Sequence, residues 1–204
     1  IERVWLSRLL DRGVIHRVRH GVYALPSATH GPFQELQAAW LATDRTQTLE
    51  ERVIGNNDVV VSHISASNVH ELGDIVAVRH EFSSPQRRQT AQQDVYFYRR
   101  KLNPEDVVLK DGLPLTSVPR TIADLAALHI DFDHLAQVVK DALDKGLVDF
   151  PTLASWLQTS ARVYGYGHGG TFVDALIDEV GLPATAESLV ARQRDLGLNP
   201  AWSD

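Results

Sequence analysis

The spacing of apolar residues changes at Ser117, and that change sets the fold class. Beyond it they recur at helical intervals in five successive blocks. Pro119 opens a helix with Ile122, Leu125, Ala126 and Leu128 inward, and a second runs from Asp133 to Lys145 through Leu135, Val138, Val139, Ala142 and Leu143. Pro151 to Ser160, Thr171 to Val180 and Ala186 to Leu196 follow, with Gly146, Gly181 and Gly197 placed just past three of the ends. Before Ser117 the apolar runs are short and alternating. His80–Ser83, Val95–Tyr98, Val107–Leu109 and Leu113–Leu115 read as strands, and Lys110-Asp111-Gly112 as a tight turn. Among them sit a helix from Pro32 carrying Phe33, Leu36, Ala39, Trp40 and Leu41, and another from an N-cap at Ser62 through Leu72. The fold class is α+β, with a mixed α/β middle and a helical C-terminal half.

The first residues add a third kind of pattern. Ile1 to Arg12 reads as a helix with Val4, Trp5 and Leu9 inward and Arg3, Ser7, Arg8 and Asp11 on the other face, stopped by Gly13. Val14–Arg19 and Val22–Leu25 then flank His20-Gly21, the signature of a hairpin. A helix followed directly by a basic hairpin is the second half of a winged helix-turn-helix. The chain opens on Ile1 in what reads as mid-helix and has no Met, so preceding residues are expected. The expected division is 1–30 partial winged helix (recognition helix and wing), 31–116 mixed middle and 117–204 helical region.

Charge is segregated along the chain. The net formal charge is −6, yet residues 1–26 carry +3, residues 79–101 carry +4, and the remainder carries −13. That distribution excludes a protein that coats nucleic acid uniformly and favours a local polyanion contact. Without Cys there are no disulfides or thiolate metal sites, and a reducing cytoplasm is the expected location. No apolar run is long enough to cross a bilayer, so no membrane partner is expected.

Four constellations could carry chemistry. In a winged helix the reading helix enters the major groove and the wing follows the backbone. The candidate DNA contacts are therefore Arg3, Ser7, Arg8, Arg12, His16, Arg17, Arg19 and His20, the alternative being a solvated Arg-rich face. His63 and His70 lie seven residues apart beside Ser62 and Ser65, which raises a metal site or a Ser/His nucleophile pair, but further ligands at metal spacing are missing and Ser62 reads first as a helix cap, so capping and core packing are the expected roles. Gly165-Tyr166-Gly167-His168-Gly169-Gly170 matches G-x-G-x-x-G, with Gly165, Gly167 and Gly170 as weak anion-binding candidates. Because it follows a helix and no βαβ unit surrounds it, it reads as an interhelical linker. Arg79, Arg87, Arg88, Arg99, Arg100 and Lys101, interleaved with Tyr96, Phe97 and Tyr98, fit contact with nucleic acid, contact with an acidic partner, or a charged edge hairpin that resists aggregation. No catalytic residue, cofactor or metal emerges.

The order of these pieces resembles the AbiEi family of antitoxins from type IV toxin–antitoxin systems, in particular its mycobacterial members. Arg17-Val18-Arg19-His20-Gly21-Val22-Tyr23-Ala24-Leu25-Pro26 matches the family's wing. Val61-Ser62-His63-Ile64-Ser65-Ala66 and His70-Glu71-Leu72-Gly73 match the helix that follows. Pro104-Glu105-Asp106, Gly112-Leu113-Pro114-Leu115-Thr116-Ser117 and Pro119-Arg120-Thr121-Ile122-Ala123-Asp124-Leu125 continue the series, which weakens after Gly146. The resemblance implies a protein that represses its own operon at inverted repeats in operator DNA. It also implies neutralisation of a co-expressed toxin with a nucleotidyltransferase fold, through the helical half. Two alternatives stand beside it: an enzyme that inactivates the toxin covalently, such as a protein kinase, and a plain transcription regulator.

Overall fold

The computed structural model describes residues 3–27, 31–44, 46–54 and 58–181. Helix α1 (Arg3–Asp11) leads into strands β1 (His16–Arg19) and β2 (Val22–Ala24). Next come α2 (Gln34–Leu41), α3 (Leu49–Ile54), β3 (Val60–Val61), α4 (His63–His70), β4 (His80–Ser84) and β5 (Val95–Arg99). A 3-10 turn at Pro104–Asp106 precedes β6 (Val107–Lys110) and β7 (Leu113–Thr116), and α5 (Val118–Ala127), α6 (Phe132–Asp144), α7 (Phe150–Ala161) and α8 (Gly169–Val180) complete the order. The protein is α+β with a helical C-terminal half, as the spacing predicts. The expected helix at Ala186–Leu196 lies outside the described residues.

Local chemistry explains the helix ends. The Gly13 and Val14 amides bond back to Leu10 and Leu9 at 2.9 Å each, a Schellman closure that needs the positive φ (66°) Gly13 adopts. Helix α3 begins inside the polar run Thr43–Glu51. It is opened by a capping box, the Thr48 amide donating to Glu51 Oε2 at 2.7 Å and the Glu51 amide to Thr48 Oγ1 at 3.3 Å. Buried Arg52 ties α3 to α2, its guanidinium lying 4.1 Å from the Trp40 ring centre and donating to the Trp40 carbonyl.

The main sheet has the order β5-β4-β3-β7-β6. β6 and β7 form the expected hairpin around Asp111-Gly112. β4 and β5 do not. They run parallel, paired from His80↔Val95 to Ser84↔Arg99, so the polar stretch 85–94 is a crossover and the hairpin reading is corrected. Alternation alone says that two segments are strands; it is blind to their relative direction, which here follows from the path of residues 85–94.

Register divides the sheet into rows. Val61, Phe82, Phe97 and Leu115 are mutual partners and join Leu36, Ala39 and Trp40 of α2 in one core. Val60, Ser83 and Tyr98 form the neighbouring row, which points the other way. A second core is built from α5–α8, with Ile122, Leu125, Leu135, Val139, Leu153, Leu157, Phe172 and Leu176 enclosed. Each such side chain contributes about 1.5–3 kcal/mol of transfer free energy.

Close packing of α7 on α8 depends on Gly169, where an added Cβ would lie 1.9 Å from the Ala154 carbonyl oxygen. Gly169→Ala is expected to lower stability by roughly 1–3 kcal/mol. Urea unfolding checks this, with Gly167→Ala as control, since nothing lies within 4 Å of a Cβ at Gly167.

Candidate nucleic-acid interface

Helix α1 presents Ser7 and Arg8 to solvent, and Arg12 is exposed just beyond its end. The backbone of Arg3 belongs to the same helix. The apolar stripe is rotated from its expected position. Val4 and Trp5 are 59% and 55% exposed, while Leu6, Leu9 and Leu10, spaced i, i+3, i+4, take the half-buried side. Trp5 instead offers its ring to Arg8, whose guanidinium carbon lies 5.4 Å from the centroid.

Strands β1 and β2 form the expected antiparallel hairpin around His20-Gly21. Their register shifts between Arg17 and Arg19. A strict strand would put both side chains on one face; the irregularity separates them. Arg17 stays exposed, donating from Nη2 to His20 Nδ1 and from Nε to the Arg19 carbonyl at 3.4 Å. Arg19 turns toward the body, its side chain 13% exposed. There it pairs with the Asp94 carboxylate and donates from Nε to Gln92 Oε1 at 2.6 Å. His16 is half-buried and His20 exposed. Among the described residues Arg8, Arg12 and Arg17 form no ion pair with a carboxylate, whereas Arg19 is neutralised.

The six cations of the middle segment do not converge. Arg88 donates to Ser84 Oγ at 3.2 Å, and Arg100 pairs with Asp124 at 2.8 Å. Arg79, Arg87, Arg99 and Lys101 are exposed, but Arg99 shares the Phe97 side of β5 and Arg100 the Tyr98 side. Tyr96 and Tyr98 do share a face, in edge-on contact at 4.7 Å. β5 is an edge strand, so its exposed charges guard a free edge, though not as part of a hairpin.

The stretch around Ser62 and His63 forms a buried polar centre. Ser62 occupies the N-cap position of α4, but its hydroxyl does not cap. It accepts from Ser83 Oγ at 2.9 Å and meets His63 Nδ1 at 2.9 Å, while Glu81 Oε2 caps the helix by accepting from the Ile64 amide at 2.7 Å. The His63 ring stacks on Tyr98 at 3.5 Å, and the Tyr98 hydroxyl donates to Glu81 Oε1 at 3.1 Å. Burial, with Arg100 and Arg120 nearby, pushes the His63 imidazole down to about 3. Burial likewise pushes the Glu81 carboxyl up. Beside this group Asp124 is fully enclosed between Arg100 and Arg120, at 2.8 and 2.9 Å. Burial pushes its carboxyl up, against the pull of the two guanidiniums. The Arg120–Asp124 pair is an i, i+4 spacing visible in sequence; Arg100 has no sequence signal linking it to either.

His70 does not join His63. Its Nε2 donates to the Thr116 carbonyl at 2.8 Å, so each ring serves a separate packing role. The glycine-rich segment is a linker. Gly165 follows α7 with φ 87°, Gly167 lies in open space, and Gly169 and Gly170 are buried in the first turn of α8. The Gly169 amide, the donor an anion would need, already bonds Gln158 Oε1 at 2.9 Å.

No family model matches the chain, and no curated protein sequence does. Among solved structures the chain is similar to the RV2827C protein of Mycobacterium tuberculosis, with a TM-score of 0.50 and 18% identity over 93% of this chain and 69% of that one. At this identity the likeness speaks for the α+β fold alone. No helix among the described residues is long and apolar enough to cross a membrane.

The buried imidazole makes stability depend on acid. Its ordinary value is 6.5, so below pH 6.5 the unfolded chain gains a proton there that the folded chain refuses until about pH 3. His63 alone should then cost about 1.4 kcal/mol per pH unit across that window. Urea titrations at successive pH values check this, and His63→Asn, which tolerates the left-handed backbone at this position (φ 54°), is expected to flatten the slope.

Proposed function

We propose that the chain binds operator DNA through α1 and the β1–β2 hairpin, acting as reading helix and wing, and represses its own operon. The carrying observation is the run of exposed cations Arg8, Arg12 and Arg17, paired with no carboxylate among the described residues, on a chain of net charge −6. Guanidiniums in that condition exchange bound water and counterions for phosphate oxygens, and the released counterions supply the affinity. His20 lies beside Arg17 at the tip of the hairpin.

The second half of the proposal is antitoxin activity against a co-expressed toxin with a nucleotidyltransferase fold. Its support is the order of motifs from Arg17 to Leu125, and the helical half carries a packed core of its own that also takes in Leu72 from the middle segment. Both activities belong in the cytoplasm, beside the operon. The glycine-rich segment lends no support to a kinase, because its residues serve chain reversal and helix packing.

Replacing Arg8, Arg12 and Arg17 together by Ala separates the two activities. Titration of a duplex from the region upstream of the gene is expected to show weaker binding and a slope of log K against log salt flatter by roughly 3. Repression of a reporter should be lost while protection from the neighbouring toxin persists. Unaltered binding by the triple variant defeats the DNA-binding reading; absence of protection by the unaltered protein defeats the antitoxin reading.

A further inference from the structure

The wing is tied to the body by a cation that a DNA backbone would also use. Arg19 Nη2 contacts Asp94 Oδ2, and its Nε donates to Gln92 Oε1 at 2.6 Å, so one edge of the guanidinium is gripped at two points. Both partners lie on the crossover that precedes β5, outside the wing itself. A carboxylate and a phosphate offer a guanidinium the same kind of paired acceptor oxygens. Asp94 is 51% exposed and the Arg19 side chain 13%, so the carboxylate faces solvent while the guanidinium lies against the body. Release of the Asp94 carboxylate to water therefore carries little cost, and a phosphate arriving from solvent can compete with it for the guanidinium. His80 Nε2, at 3.8 Å, is the other basic group facing Asp94.

We infer that Asp94 is an internal competitor for the DNA backbone: it holds Arg19 against the start of β5 and withholds that cation from the duplex. Asp94 is on this account a positioning residue that lowers DNA affinity and anchors the wing. The inference rests on the DNA-binding reading above. It gives the two neighbouring wing arginines different duties, Arg17 offered to the polyanion and Arg19 held back until Asp94 releases it. The register shift between them is what allows the division.

The test uses the full chain and the duplex from upstream of its gene, with binding followed by fluorescence anisotropy over a salt series. Asp94→Asn keeps the shape and removes the charge. It is expected to tighten binding about fivefold near 0.1 M salt and to steepen the slope of log K against log salt by about 0.9, the signature of one more phosphate contact. In an Arg19→Gln background the same substitution should change nothing. Unchanged or weaker binding by Asp94→Asn overturns the inference. So does equal tightening in both backgrounds, which would reduce the effect to removal of any nearby negative charge. Amide hydrogen exchange over residues 14–25 without DNA supplies a second readout, and faster exchange in Asp94→Asn is expected. No change in exchange overturns the anchoring. Faster exchange with no DNA binding by either protein would leave the anchor in place and overturn the DNA-binding reading, and the competition with it.

Discussion

The enclosed carboxylate of Asp124 is the constraint on which the arrangement of this protein turns. It belongs to the first helix of the C-terminal half, and it is held by Arg120 one turn earlier and by Arg100 at the end of the edge strand. A buried ion pair adds little net stability, because desolvation offsets the attraction, but an unpaired buried charge is strongly destabilising. Packing α5 against the sheet with Arg100 beside Asp124 brings a second guanidinium to Oδ1 and offsets the buried charge, while neither carboxylate oxygen gains a well-aligned hydrogen bond. The same placement sets the positive charges near His63, which stays neutral and stacks on Tyr98. One carboxylate thus joins the end of the sheet, the start of α4 and the helical half.

Polar groups elsewhere in the protein are divided between holding the fold and facing outward. Arg52, Arg88, Arg100 and Arg120 are bound to carbonyls, hydroxyls or Asp124. Arg8, Arg12 and Arg17 remain on the outside of the N-terminal helix and hairpin. The distinction matters for the proposed DNA contact, since a cation already paired with a carboxylate releases no counterion when a phosphate approaches. Counting basic residues in a segment overstates what it can bind, and the segment from Arg79 to Lys101 is the clear case. Its strand alternation sends Arg99 and Arg100 to opposite faces, and only one of them meets a partner carboxylate.

The legible parts of the fold were those with local causes. Spacing placed α5 to α8 within two residues of their ends, and the turns at His20-Gly21 and Asp111-Gly112 were readable because the residues that make them are adjacent. The capping box at Thr48 and Glu51 is equally local but lies within a polar run that has no apolar stripe to mark a helix. The rotation of α1, with Leu6 inward and Trp5 outward, depends on what the helix packs against, as a short apolar stripe admits more than one orientation.

By itself the sequence determined the α+β class, the basic hairpin after a short helix, and the linker character of the glycine-rich segment, because each follows from residues within a few positions of one another. Only the tertiary structure decided that β4 and β5 run parallel, that Arg19 belongs to Asp94 while Arg17 does not, and that Arg100 closes on Asp124. Those pairs lie 75 and 24 residues apart for the arginines and their carboxylates. Contact at such separations is set by how whole elements pack, and no local spacing encodes it.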